Sequence, residues 1–136
     1  MANQFAASAL NAAVDAIYAD IGASPVLEIR TGAPPATPAA ADTGTLLCAI
    51  NLPAAWLGAA VDGRREKIGT WEGTGLPAAG TGTQAGHFRL KQGATTKLQG
   101  TVTHSAGDGG LKLVNLSISE GQPVPVQDYE ISVAPV

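Results

Sequence analysis

The stretch His87-Phe88-Arg89-Leu90-Lys91-Gln92-Gly93-Ala94-Thr95-Thr96-Lys97-Leu98-Gln99-Gly100-Thr101-Val102-Thr103-His104 decides the fold class. Phe88 and Leu90 alternate with His87, Arg89 and Lys91, and Leu98 and Val102 alternate with Gln99, Thr101 and Thr103. A period of two puts the apolar side chains on one face and the polar ones on the other, the pattern of half-buried β-strands. The glycine-rich tract Ala106–Gly110 that follows suits a hairpin turn built on positive φ.

Working outward, the same period recurs. Leu27 and Ile29 alternate with Glu28 and Arg30, and Leu46, Cys48, Ile50 and Leu52 share one strand face, which predicts a buried Cys48. Ile68–Glu72 reads as a short strand after a charged turn at Asp62–Lys67, and Gly73–Gly86 as a mobile loop. The phase changes between Leu113 and Leu116, which predicts a bulge near Val114–Asn115. Pro123 and Pro125 cannot donate to a ladder, so the last strand, running through Val124 and Val126 to Ile131 and Val133, begins at a sheet edge. The expectation is a mainly β protein, an antiparallel β-sandwich or jelly roll of about seven to eight strands.

One segment breaks the pattern. Between Asn3 and Ile21, Leu10, Val14, Ile17, Tyr18 and Ile21 recur at helical spacing with alanines between them, Asn3 is placed to cap the start, and Gly22 and Pro25 end the run. This divides the chain into a helical arm, 1–24, and a β-sandwich domain, 25–136. The amphipathic helix either caps its own sandwich or docks on a neighbour.

Composition narrows the function. The chain has 136 residues, 14% of them charged, a net charge of −3 and one cysteine. An ordinary domain carries about 25% charged residues, so this surface is rich in small neutral side chains and cheap to desolvate. With 8 Lys+Arg and no basic stripe, a nucleic-acid partner is not expected. No run is apolar enough to span a membrane, and the first twenty residues lack Lys and Arg, which argues against a secretory leader.

Catalytic and ligand motifs are sparse. His87 and His104 fall in separate strands, no Gly-x-Ser-x-Gly elbow occurs, and the acids are scattered, so neither an enzyme, a metal nor a cofactor is expected. The candidate interface residues are Phe5, Leu10, Val14 and Ile17 on the helix, Pro34 and Pro35 in the Pro-rich loop 31–43, and Trp56 in a small-residue loop.

The segments 27–35 (LEIRTGAPP), 44–52 (GTLLCAINL), 85–90 (AGHFRL), 98–102 (LQGTV) and 113–124 (LVNLSISEGQPV) together resemble small structural proteins of tailed bacteriophages, encoded among head and tail assembly genes. The resemblance implies a virion protein made in the host cytoplasm. As a decoration or cement protein on the outer capsid it would partner the major capsid protein and associate with itself as a dimer or trimer. A head–tail connector or tail component is the alternative, and a glycan-binding adsorption module is an alternative of another class.

Overall fold

A computed structural model describes residues 3–133. The chain is mainly β with one helix. Among the described residues the elements are α1 (Ala7–Ile21), β1 (Val26–Arg30), β2 (Leu46–Asn51), β3 (Arg64–Glu66), β4 (Trp71–Thr74), a 3-10 turn at Pro77–Ala79, β5 (Thr83–Gln84), β6 (His87–Gln92), β7 (Thr95–His104), β8 (Leu111–Leu113), β9 (Ser117–Ile118), β10 (Pro123–Val126) and β11 (Glu130–Ser132). Eleven strands replace the seven or eight expected, because runs that read as single strands break where the chain passes from one ladder to another.

The spine is a five-stranded sheet in the order β2-β1-β6-β7-β8. Leu27 faces both Ile50 and Leu90 across the ladders, and Ile29 faces Cys48 and Phe88, so one face is continuously apolar. Cys48 is fully buried there, as its strand phase predicted, and burial pushes its thiol up to about 11. Three two-stranded ladders, β4–β10, β3–β11 and β5–β9, complete the fold. In β10, Pro123 and Pro125 point outward while Val124 and Val126 are buried, and the strand pairs with β4 alone, the edge position the prolines require.

Two glycine-rich tracts behave differently from their composition. The tract Gly73–Gly86 is threaded between ladders: it contains the end of β4, the 3-10 turn and β5, and Gly75, Ala79 and Ala85 are buried. Gly75 donates to the Gln122 carbonyl at 2.8 Å and accepts from Gly121 at 2.9 Å, and a Cβ on Gly75 would lie 1.9 Å from the Ser119 carbonyl oxygen. These glycines serve close backbone approach.

The second tract corrects the expected hairpin. β7 and β8 run parallel, with Val102 opposite Leu111 and His104 opposite Leu113. Parallel neighbours ordinarily need a crossover of about a dozen residues. Here residues 105–110 double back against β7 itself. Gly109 donates to Thr103 Oγ1 at 3.0 Å, and a Cβ there would sit 2.9 Å from the Thr101 carbonyl oxygen. None of Gly107, Gly109 and Gly110 has a positive φ; the hairpin turn with that feature is at Gly93, φ 61°, between β6 and β7. The expected bulge at Val114–Asn115 is instead the point where the chain leaves β8 and joins β5 as β9.

The helix starts at Ala7, with Ala6 as a cap that offers no side-chain hydrogen bond, so Asn3 is not the cap. Its end follows the sequence: Gly22 takes φ 85° and donates to the Tyr18 carbonyl.

Gly75→Ala tests the threaded tract. A methyl group against a backbone oxygen is an overpacking change, with an expected loss of about 2–3 kcal/mol in denaturant unfolding. A loss below about 0.5 kcal/mol would place 73–86 outside the packed core.

Candidate interaction surface and its buried polar seat

The polar face of β6 is covered. The loop 31–45 is pinched at its neck, where Thr31 N–H donates to the Thr45 carbonyl at 3.1 Å and Thr45 N–H to Thr31 Oγ1 at 2.9 Å. It lies as a strap over that face. Three prolines and the lack of strand pairing leave its carbonyls needing donors, and buried carbonyls must find them.

Arg89 supplies three of them. Its side chain is 1% exposed. Nη2 donates to the carbonyls of Thr37 (3.3 Å), Pro38 (2.8 Å) and Ala40 (3.0 Å), Nη1 to Asp42, and Nε to Gln99 Oε1 at 3.2 Å. Gln99, opposite Arg89 on β7, donates in turn to the Pro35 carbonyl at 2.7 Å. His87 Nδ1 lies 3.0 Å from the Gly32 carbonyl oxygen and so carries the proton, while its buried Nε2 has no partner. Around this row, Arg30, Lys91 and Arg89 all reach Asp42, and Glu28 bridges Arg30 and Lys91. The Lys91 ammonium, then the Arg89 and Arg30 guanidiniums, hold the Asp42 carboxyl down at about 2 against a partial desolvation that opposes them.

The opposite side of the molecule is organised by aromatic rings. Tyr18, Trp56, Trp71, Tyr129 and Phe88 form a continuous series with successive centroids 5.3, 6.0, 5.5 and 5.9 Å apart. It joins α1 to the loop after β2, then to β4, to the segment before β11 and to β6. Trp56 Nε1 donates to the Gly22 carbonyl at 2.9 Å and Trp71 Nε1 to the Ile68 carbonyl at 3.1 Å, so both indoles bury without an orphaned donor. Arg65 lies 3.8 Å over the Tyr18 ring and pairs with Asp15 at 2.7 Å. Asn11 accepts from Gly63 N–H, Asp20 pairs with Lys97, and Gln92 donates to the Ile21 and Ala23 carbonyls. The helix therefore seats on its own chain.

These contacts sort the expected interface residues. Val14 and Trp56 are 0% exposed and spent on the core. Leu10, Pro34 and Pro35 are half-buried. Phe5, at 58%, and Ile17, at 38%, remain open to a partner. Val61, Ile68 and Val114 are also exposed and were missed, since a single apolar residue in a turn carries no periodic signal. Ile68 and Val61 flank a shallow groove of about 480 Å³ beside β3. No group of three or more His, Cys, Asp or Glu side chains is placed to hold a metal among the described residues, and no described helix is long and apolar enough to cross a membrane.

Comparison with protein-family models, with curated proteins and with solved structures finds no match to this chain.

Two experiments follow from the geometry. Asp42 is stabilising while ionised, because its folded value is depressed; the contribution is complete above about pH 4 and is lost as pH falls through about 2. Asp42→Asn should cost about 1–3 kcal/mol near neutrality and flatten the acid limb of a pH–stability curve, and an unchanged limb would remove Asp42 from the seat. Separately, Arg89→Met should raise amide exchange at 36–41 well beyond that of β1 and β2. Equal protection in the variant would mean that the strap is held by something else.

Proposed function

We propose that this chain is a non-enzymatic structural protein of a tailed-phage virion, a decoration or cement protein that stabilises the head by bridging major capsid subunits on its outer surface. The observation that carries the reading is where the bulky side chains have gone. Five of the six aromatic residues and the most buried arginine are committed to internal packing. What faces outward along the first half of α1 is Ala and Ser, Phe5 just before the helix and Ile17 in its second half are exposed, and no charged residue occurs from Asn3 to Val14. Such a face loses little hydration on contact and suits lasting association.

The segments quoted at 27–35, 44–52, 85–90, 98–102 and 113–124 supply the phage part of the proposal through resemblance. A sandwich or jelly-roll description of the mixed sheet and its three ladders belongs to the same reading. Contacts of the ordinary size, about 1,600 Å² in total, repeated at symmetry-related positions would add through avidity. Self-association as a dimer or trimer would present several such faces at once. The glycan-binding alternative used Trp56 as a stacking platform, and that ring is inside the protein.

Purified heads provide the test. The protein should be present at roughly hundreds of copies, and heads assembled without it should lose heat or chelator resistance. Its absence from heads would overturn the proposal, and about six or twelve copies would make it a connector instead. Phe5→Ser with Ile17→Ser should leave stability within about 0.5 kcal/mol while weakening head binding at least several-fold. Unaltered binding would exclude the N-terminal segment 5–17 as the contact.

A further inference from the structure

The seat beneath the strap contains an imbalance of charge. Among the described residues, Arg30, Arg89 and Lys91 converge there with Glu28 and Asp42 as ionised partners, which leaves one net positive charge, three minus two, in a chain whose total is −3. Burial is just as uneven. The side chains of Arg89, Arg30 and Lys91 are 1%, 11% and 11% exposed, whereas that of Asp42 is 33% exposed. The cations stand on β1 and β6, within the central sheet. The carboxylate stands on the strap, outside regular structure, and is the one charged residue between Thr31 and Thr45.

Lys91, Arg89 and Asp42 also line an open groove of about 690 Å³ between the strap and the β6–β7 turn, whose walls are the small side chains of 37–41 and 94–96. Arg89 Nη1 and the Lys91 ammonium, the donors that Asp42 now holds, stand where a carboxylate or phosphate oxygen could take charge-assisted hydrogen bonds, while Nη2 and Nε stay with the strap carbonyls and Gln99. The opening beside them carries no bulky residue to exclude one.

We infer that this groove is a binding site for a compact oxyanion, with Lys91 and Arg89 as its ligands and Asp42 as the internal anion that the ligand displaces. The exchange replaces one anion by another, so no buried cation is left unpaired and the large penalty for that state is avoided. Asp42 turns toward water, which it already reaches. The strap keeps its carbonyl bonds to Arg89 and Gln99 but loses its one ionic anchor, so ligand binding and loosening of residues 41–43 are coupled. An acidic side chain of a partner protein and a free phosphate share the required chemistry. This inference does not rest on the virion reading.

Titration with inorganic phosphate and, in a parallel arm, with acetate decides the question, against chloride at equal ionic strength. Wild type, Asp42→Asn and Lys91→Met are compared, with Lys112→Met as a control for surface charge. Amide shifts at 91 and 94–96 should saturate in wild type at millimolar anion. They should saturate at about tenfold lower concentration in Asp42→Asn, where the internal competitor is gone, and should vanish in Lys91→Met. The stronger anion identifies the source, phosphate for a free ion and acetate for a side-chain carboxylate. Equal responses in all four proteins, or none in wild type and Asp42→Asn, would overturn the site. Should Asp42→Asn fail to fold, wild type against Lys91→Met decides alone, and an unchanged response in Lys91→Met overturns it.

Discussion

An arginine buried in the middle strand of a sheet constrains everything around it. Removing a guanidinium from water is costly unless its donors are answered, and taking away one partner from such an arrangement leaves a buried charge uncompensated. Arg89 meets that demand with a carboxylate, a side-chain amide and three backbone carbonyls. The strap has the reciprocal need. A Pro-rich segment that forms no ladder satisfies few of its own carbonyls, only those of Thr37 and Thr45 here, and it could not lie over the sheet without a donor beneath it. Each makes the other's burial tolerable, and together they give a sheet with two covered faces, one apolar and one polar.

The other face depends on a second economy. Two-residue and three-residue strands such as β5, β9, β3 and β11 are too short to stand alone. The ring series crosses the boundaries between ladders: Trp71 belongs to β4, Tyr129 leads into β11, Phe88 is in the central sheet, and Tyr18 and Trp56 tie in the helix. Tilted and edge-on contacts at these distances are favourable beyond their buried area. A chain with 4% aromatic residues places nearly all of them where separate ladders would otherwise come apart.

Much of this was legible in the residues, and the unreadable part has a physical cause. Period two told which side chains share a face in β1 and β6 and predicted the burial of Cys48 and Ile50 in β2 correctly, but a register shift pairs Leu46 with Arg30, out of that phase, and buries Leu47 as well. It could not tell whether the polar face meets water or another segment, so Arg89 and His87 read as outward-facing although both are buried. Glycine is ambiguous in a related way. The same residue supplies freedom to a loop, positive φ to a turn and clearance to two crossing backbones, and at Gly75 and Gly109 the third use prevails. A change of phase at Val114 is equally produced by a bulge or by a strand that transfers to a new partner. Only the location of that partner, distant in sequence, separates them.

The interior also determines the character of the exterior. Because the strap spends its only charge inward and the helix spends Tyr18, Val14 and Ile21 on the core, the outer surfaces of the strap and of the first half of α1 are left with small neutral residues. Such surfaces offer few strong individual contacts, since affinity at protein interfaces is concentrated in buried aromatic and arginine anchors. A partner must then gain either by covering a wide area many times over or by supplying an anchor of its own. The first route is the one proposed for assembly on a symmetric shell. The second is the one the cationic groove beneath the strap would serve, because there the protein contributes the fixed cations and the incoming chain needs only a carboxylate.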